Sequence, residues 1–269
     1  MALWMLNHLS TFVLTLLMVG SIVLIAVAGS ALARRRFPRL AEGEHNEMVG
    51  VVLGMFGAIY GIILAFVVVT LWTQLDHTQT VVSQEATDVS LVVRATRSFP
   101  PEERARVDKA VGEYVHAVVE VQWPKMREGR PSFAATSRQL GEMYDALQAY
   151  DPPTPRDQAF YGEAVTRLND AAAMRRERIN IATNELPVLL QVLVYGGAVV
   201  IILLTFLYGL RSLKMQFLFV ATVAGLIGFS LLLVLVLDRP FAGDLTVSSQ
   251  PFKESSLSRF WPQGALGSP

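Results

Sequence analysis

The side chains that could do chemistry in this chain are few and scattered. The four histidines, His8, His45, His77 and His116, do not pair with one another at helical spacing. His77 beside Asp76 offers two groups for a metal or proton site, and equally a polar collar where a helix leaves a bilayer. Glu42, Glu44, His45 and Glu47 offer carboxylates to a cation, and equally the polar residues of a solvated loop. The run Arg175-Arg176-Glu177-Arg178 offers cations to lipid headgroups or an anionic partner, or else forms a solvated helix face with pairs along the helix. There is no cysteine, which excludes disulfides, thiolate metal sites and cysteine nucleophiles. No phosphate-binding glycine loop, H-E-x-x-H pair or G-x-S-x-G elbow is present. The residues therefore predict no enzyme, no catalytic residue, no metal and no cofactor.

The elements that would hold these groups are set by where charge is missing. Hydrophobic residues make up 52% of the chain and charged residues 17%, against about 25% charged in a soluble domain. Mean hydropathy is +0.40. Acids and bases cancel to a net charge of +0, so no global field recruits nucleic acid. Four apolar blocks stand out: the first has its core near 11–32, and the others cover 48–75, 186–210 and 215–237. Each is long enough for a spanning helix of about 20 residues. The predicted fold is all-α, a polytopic membrane protein with four transmembrane helices. A helical extramembrane domain is inserted between helices 2 and 3. The domain boundaries are 1–75 for the first two spans, 76–185 for the inserted domain, 186–237 for the last two spans, and 238–269 for a C-terminal segment and flexible tail.

Residues 1–33 carry no charge, so the basic region of a cleavable signal is missing, and the first span is expected to be retained. Arg34, Arg35, Arg36 and Arg39 follow span one, and Arg211 and Lys214 sit between spans three and four. The positive-inside rule assigns both loops to the cytoplasm. It leaves both termini and the inserted domain outside, although Arg175, Arg176, Arg178 and Arg239 flank the opposite ends.

The inserted domain reads as helix throughout. No glycine or proline occurs from Ile62 to Phe99, which predicts one long helix from span two to about Ser98. Pro100-Pro101 with Glu102 and Glu103 opens the next helix, whose stripe is Val107, Val111, Tyr114, Val115, Val118 and Val119. Trp123-Pro124 bends or ends it, and Gly129-Arg130-Pro131 stops it. A further helix is predicted over 133–150. The last has Thr154 as N-cap, Pro155 at its first position, and a stripe of Phe160, Ala164, Leu168 and Ala172.

Span two is the most informative segment. Gly50, Gly54, Gly57 and Gly61 fall within about 60° of one another on a helix, a smooth face suited to close helix packing. The opposite face carries Ile59, Ile63, Phe66 and Thr70, with Phe56 at its margin. In an oligomer that bulky face could line an axial constriction. No Lys, Arg, Asp or Glu lies within the four apolar cores, which argues against an ion-coupled pump. A passive pore remains compatible, because hydrophobic constrictions gate by dewetting.

Several stretches carry a family resemblance. They are Ile62-Ile63-Leu64-Ala65-Phe66 leading to Trp72-Thr73-Gln74-Leu75-Asp76, and Tyr114 followed by Glu120-Val121-Gln122-Trp123-Pro124-Lys125-Met126. Arg175-Arg176-Glu177-Arg178 with Leu186-Pro187, and Asp238-Arg239-Pro240-Phe241-Ala242-Gly243, complete the set. Together, over about residues 10–252, they resemble the bestrophin-like family of bacterial membrane proteins, itself distantly similar to bestrophin anion channels. The motif residues carried by the resemblance are Trp123, Pro124, Arg175, Arg176, Arg178, Pro187, Asp238, Arg239, Pro240 and Phe241. It implies a homo-oligomer, a pentamer in bestrophins, in a bacterial inner membrane. It also implies a pore for chloride or other anions lined by the second span, with Ile59, Ile63 and Phe66 at the neck. The acidic calcium-binding cluster of animal bestrophins has no counterpart, since Asp244 is the only acid between Gly243 and Lys253. Bestrophins keep their soluble part in the cytoplasm, whereas the charge pattern here places it outside. A reading from another class is a membrane-anchored sensor or scaffold whose helical domain binds a partner.

Overall fold

The structure is a computed structural model and describes residues 2–38, 43, 45–184 and 186–262. Arg39, Glu42, Glu44, Glu185 and residues 263–269 lie outside the described residues. In chain order the helices are α1 (Ala2–His8), α2 (Thr11–Arg36), α3 (Asn46–Ala95), α4 (Pro101–His116), α5 (Trp123–Arg127), α6 (Ala134–Gln148), α7 (Pro155–Thr183), α8 (Val188–Leu207) and α9 (Leu213–Leu237). No strand occurs among the described residues. The chain forms two compact units: residues 1–73 with 185–239, and residues 74–184 with the stretch from Pro240 onward.

The first unit contains α1, α2, the start of α3, α8 and α9. Four helices are long and apolar enough to cross a membrane, and their apolar stretches are those of α2, α3, α8 and α9. Ser10 opens α2, its Oγ accepting from the Val13 amide at 3.4 Å. α2 and α9 close on a small-residue seam of Ala26, Val220 and Ala224, with Ile22, Val23, Val27 and Phe206 packed around it. α8 approaches α3 so closely that a Cβ on Gly197 would stand 2.6 Å from the Tyr60 ring. The Tyr60 hydroxyl donates to the Val194 carbonyl at 2.9 Å. Side-chain amides satisfy the backbone of the turn between α8 and α9. Asn46 donates to the Gly209 carbonyl at 2.7 Å and accepts from its amide at 2.8 Å. Buried Gln216 accepts from the Leu210 amide at 3.1 Å. Large apolar side chains such as Leu16, Leu24, Leu189, Leu218 and Leu226 face outward, as expected where lipid is the solvent.

In the second unit the rest of α3 presents a stripe of Val81, Val82, Ala86, Val89, Val92 and Val93, all buried. Threonines along α3 satisfy their hydroxyls by donating to the carbonyl four residues back, as Thr73 does to Val69 at 2.9 Å and Thr80 to Asp76 at 3.1 Å. A 3-10 turn, Thr96–Ser98, ends this run. Between α4 and α5 the helix widens over Ala117–Gln122 into a π turn, so Trp123-Pro124 bends the run without ending it. Gly129, at φ 69, terminates it. Thr154 caps α7, its Oγ1 accepting from the Asp157 amide at 3.1 Å. The buried stripe of α7 is Ala164, Leu168, Ala171, Arg175, Arg178 and Ile179, while Phe160 is exposed.

The expected flexible tail is corrected over residues 252–262. The segment makes 3-10 turns at Gln250–Lys253 and Ser255–Phe260, and Phe252 and Leu257 are fully buried. Trp261 donates its indole N–H to the Phe252 carbonyl at 3.0 Å, and His116 Nε2 meets the Phe260 carbonyl at 3.0 Å. Short 3-10 turns carry no 3.6-residue periodicity, and buried aromatic anchors hold them in its place.

Candidate functional site

Two features hold residues of functional interest, and each lies within one unit. The first is the membrane-crossing part of α3. Its contact with the rest of its unit runs through one stripe, Tyr60, Leu64, Val67 and Leu71, spaced four, three and four. The remainder of its circumference is exposed or half-buried. Ile59 and Phe66 are 58% and 71% exposed, Ile63 is half-buried and Thr70 is exposed, its hydroxyl donating to the Phe66 carbonyl at 2.8 Å. On the other side, a Cβ added at Gly54, Gly57 or Gly61 would meet nothing within 4 Å. At Gly50 it would meet only Tyr208, at 3.5 Å. The close approach expected of this glycine face is therefore not made within the chain, Gly50 apart.

The second feature is a buried charge cluster in the second unit. Glu85 of α3 and Arg178 of α7 are both fully buried. Arg178 donates from Nε to Glu85 Oε2 at 2.7 Å and from Nη2 to Oε1 at 2.9 Å. Nη2 also reaches Gln122 Oε1 at 2.8 Å, and Nη1 lies 3.4 Å from the Met126 sulfur. Tyr114 completes the carboxylate's shell, its hydroxyl donating to Oε1 at 2.7 Å. The guanidinium carbon sits 5.6 Å from the Trp123 ring centre and 6.0 Å from that of Phe252, a favourable face for a cation. Trp123 in turn meets Phe241 edge-on at 5.6 Å.

Electrostatics in the cluster follow from burial and pairing. Burial, then the adjacent Glu85 carboxylate, pushes the Tyr114 phenol well above its ordinary value, so it stays a donor. Burial alone would lower Arg178, but the Glu85 carboxylate outweighs it and the guanidinium is held more firmly charged. Arg175 is lowered by burial. It donates from Nε to Thr136 Oγ1 at 2.7 Å and from Nη2 to the Phe133 carbonyl at 2.5 Å, tying α7 to the start of α6. Both carboxylate oxygens of Glu85 are engaged, and the Glu85 and Arg178 side chains are fully buried. The cluster can hold helices in register; it presents no open position for a substrate.

The arginine run is thus neither a solvated face nor a headgroup contact at Arg175 and Arg178; of the three arginines only Arg176 is exposed. Arg175 and Arg178 stand seven and ten positions after Leu168, on the apolar stripe of α7, and that register puts them inside. Trp123, Arg178 and Phe241 converge, while Pro124 lies in the first turn of α5. Pro187 precedes α8, and Asp238 Oδ1 accepts from the Leu186 amide at 2.9 Å, supplying a partner at the start of a span. Arg239 is 3.8 Å from Asp238, and the Pro240 carbonyl accepts from Val247 at 2.9 Å. Sequence reasoning missed Glu85, Gln122 as a ligand of Arg178, and Phe252. The signal for Glu85 is an acid set among Val81, Val82, Ala86 and Val89, in the middle of an apolar stripe. His77 lies 3.5 Å from Glu177 and is exposed. Among the described residues no group of three or more His, Asp or Glu could hold a metal.

The chain matches the Bestrophin-like domain over residues 20–252. No curated protein matches it. Among solved structures it is similar to a bacterial bestrophin homologue from Klebsiella pneumoniae bearing a single mutation. That match has a TM-score of 0.65 at 14% identity and covers 90% of this chain and 97% of that one. A second mutant of the homologue gives a TM-score of 0.63 at 14% identity, covering 90% and 96%. A structure described only as a membrane protein gives 0.64 at 14% identity, covering 90% and 95%. The shared fold, the four apolar helices and the match over most of the sequence lead to one conclusion: this chain is a membrane protein of the Bestrophin-like family.

Proposed function

We propose that the chain assembles with copies of itself into a membrane channel that passes anions through a pore lined by the membrane-crossing part of α3. The uncovered arc of that helix carries the proposal. One stripe of α3 is buried against its own unit, while an apolar bulky face and a glycine face about 180° apart are left largely uncovered. With Ile59, Ile63, Phe66 and Thr70 toward an axis, the glycine face turns outward, where spans of an adjacent copy can approach closely. The absence of charge from the span cores fits a passive pore with a hydrophobic neck, and chloride or other anions follow from the resemblance to bestrophins. The purified protein in mild detergent is expected to be a multimer, a ring of five by the same resemblance. Gly57→Leu, at a position where an added Cβ meets nothing within 4 Å, is expected to dissociate it. A wild-type monomer by light scattering contradicts the proposal, because one such helix cannot enclose a pore.

The helical domain inserted between spans two and three, residues 76–185, is proposed to lie with both termini on the extracytoplasmic side of the inner membrane. Arg34, Arg35, Arg36, Arg39, Arg211 and Lys214 then face the cytoplasm. Alkaline phosphatase fused within 130–155 is expected to be active, and fused within 33–48 inactive. The reverse pattern inverts the orientation.

A further inference from the structure

The two basic loops that set the orientation meet in one place. A cleft of about 510 Å³ in the first unit is lined by Arg34 and Arg35 of α2, Arg211 of the turn before α9, and the apolar side chains Ala31, Leu213 and Phe217. Among the described residues no carboxylate lines it. Arg34 donates to the Leu210 carbonyl, so it is committed to holding the α8–α9 turn and shapes the wall. Arg35 and Arg211 are exposed. α9 begins at Leu213, and its N-cap Ser212 makes no side-chain cap bond, so the positive end of a 25-residue helix adds to the same field.

We propose that this cleft binds the phosphodiester headgroup of an anionic phospholipid, with Arg35 and Arg211 as its phosphate ligands. The chemistry is that of an amphiphile. Guanidinium groups match phosphate oxygens in a two-donor fork. The cleft lies where the apolar stretches of α2 and α9 end, which is headgroup level for a spanning helix. Ala31, Leu213 and Phe217 supply an apolar wall for the glycerol and first acyl carbons. A zwitterionic headgroup would bring its ammonium against three guanidiniums, and a free phosphate would gain nothing from the apolar wall. The proposal rests on α2 and α9 as membrane spans and is independent of the pore.

The test uses the full chain in mild detergent, titrated with phosphatidylglycerol or with phosphatidylcholine of the same acyl chains, counting bound lipids per chain by native mass spectrometry. Selective retention of phosphatidylglycerol is expected. Arg35→Gln with Arg211→Gln is expected to weaken it by roughly tenfold or more. The charge-matched pair Arg94→Gln with Arg104→Gln, both exposed and in the second unit, is expected to leave it unchanged. Wild-type retention must also fall as sodium chloride is raised, while residual phosphatidylcholine binding does not; this reading stands even if the double variant does not fold. Equal retention of the two lipids, undiminished binding in a folded double variant, or displacement by millimolar inorganic phosphate each overturns the proposal.

Discussion

Glu85→Ala is expected to cost the second unit about 3–5 kcal/mol. The substitution removes both acceptors of the Arg178 fork and leaves a fully buried guanidinium without a countercharge. It also strips the Tyr114 hydroxyl of its acceptor, and an unsatisfied buried donor carries its own desolvation cost. Loss on this scale corresponds to a fall in melting temperature of about 10 °C in detergent for a chain of this size. The cause separates from mere volume loss in a second variant. Glu85→Leu combined with Arg178→Met removes both charges together, and is expected to recover most of the loss, because a buried ion pair is often no better than well-packed apolar residues. A melting temperature for Glu85→Ala within about a degree of wild type contradicts the burial described here.

Phe66→Ala is expected to change conduction severely and stability hardly at all. Its ring is 71% exposed within the chain, so truncation leaves no cavity. The stability change is expected to fall within about 0.5 kcal/mol, as for other surface positions. A buried phenylalanine would instead cost about 3–5 kcal/mol. If the ring stands at the neck of a pore, its removal widens and wets a dewetting constriction, and anion flux per channel should rise severalfold. Unchanged flux with unchanged stability would remove Phe66 from the pore. A large loss of stability would mean that the ring is covered by an adjacent copy rather than facing an axis.

How much of this was legible in the sequence depended on whether the information was local. The spans were readable because charge is excluded from lipid over a whole turn-by-turn stretch, and α2, α3, α8 and α9 lie where the uncharged blocks are. The continuity of α3 and the Thr154 cap followed from neighbouring residues alone. Arg175 and Arg178 could not be placed from their charge. Their burial depends on Glu85, Gln122 and Thr136, which only the tertiary fold brings to α7, although their register after Ala164 and Leu168 points inward. Phe252 and Trp261 were hidden for another reason: turns without a repeating period leave no pattern, and their anchoring is by single aromatic contacts. The glycine face of α3 was legible as a pattern, but a Cβ added at Gly54, Gly57 or Gly61 meets nothing within 4 Å, so the described residues supply no surface against those three.

The measurement that bears most directly on the central claim is chloride flux from liposomes containing the purified protein, with Ile63→Arg reconstituted alongside. Ile63 lies on the bulky face of α3, and in a ring the substitution sets one positive charge per subunit at the constriction. Wild-type flux that this single substitution alters severalfold, with insertion unchanged, is the result predicted. Folded, inserted wild-type protein whose flux is indifferent to Ile63→Arg, or that conducts nothing, contradicts a pore lined by α3.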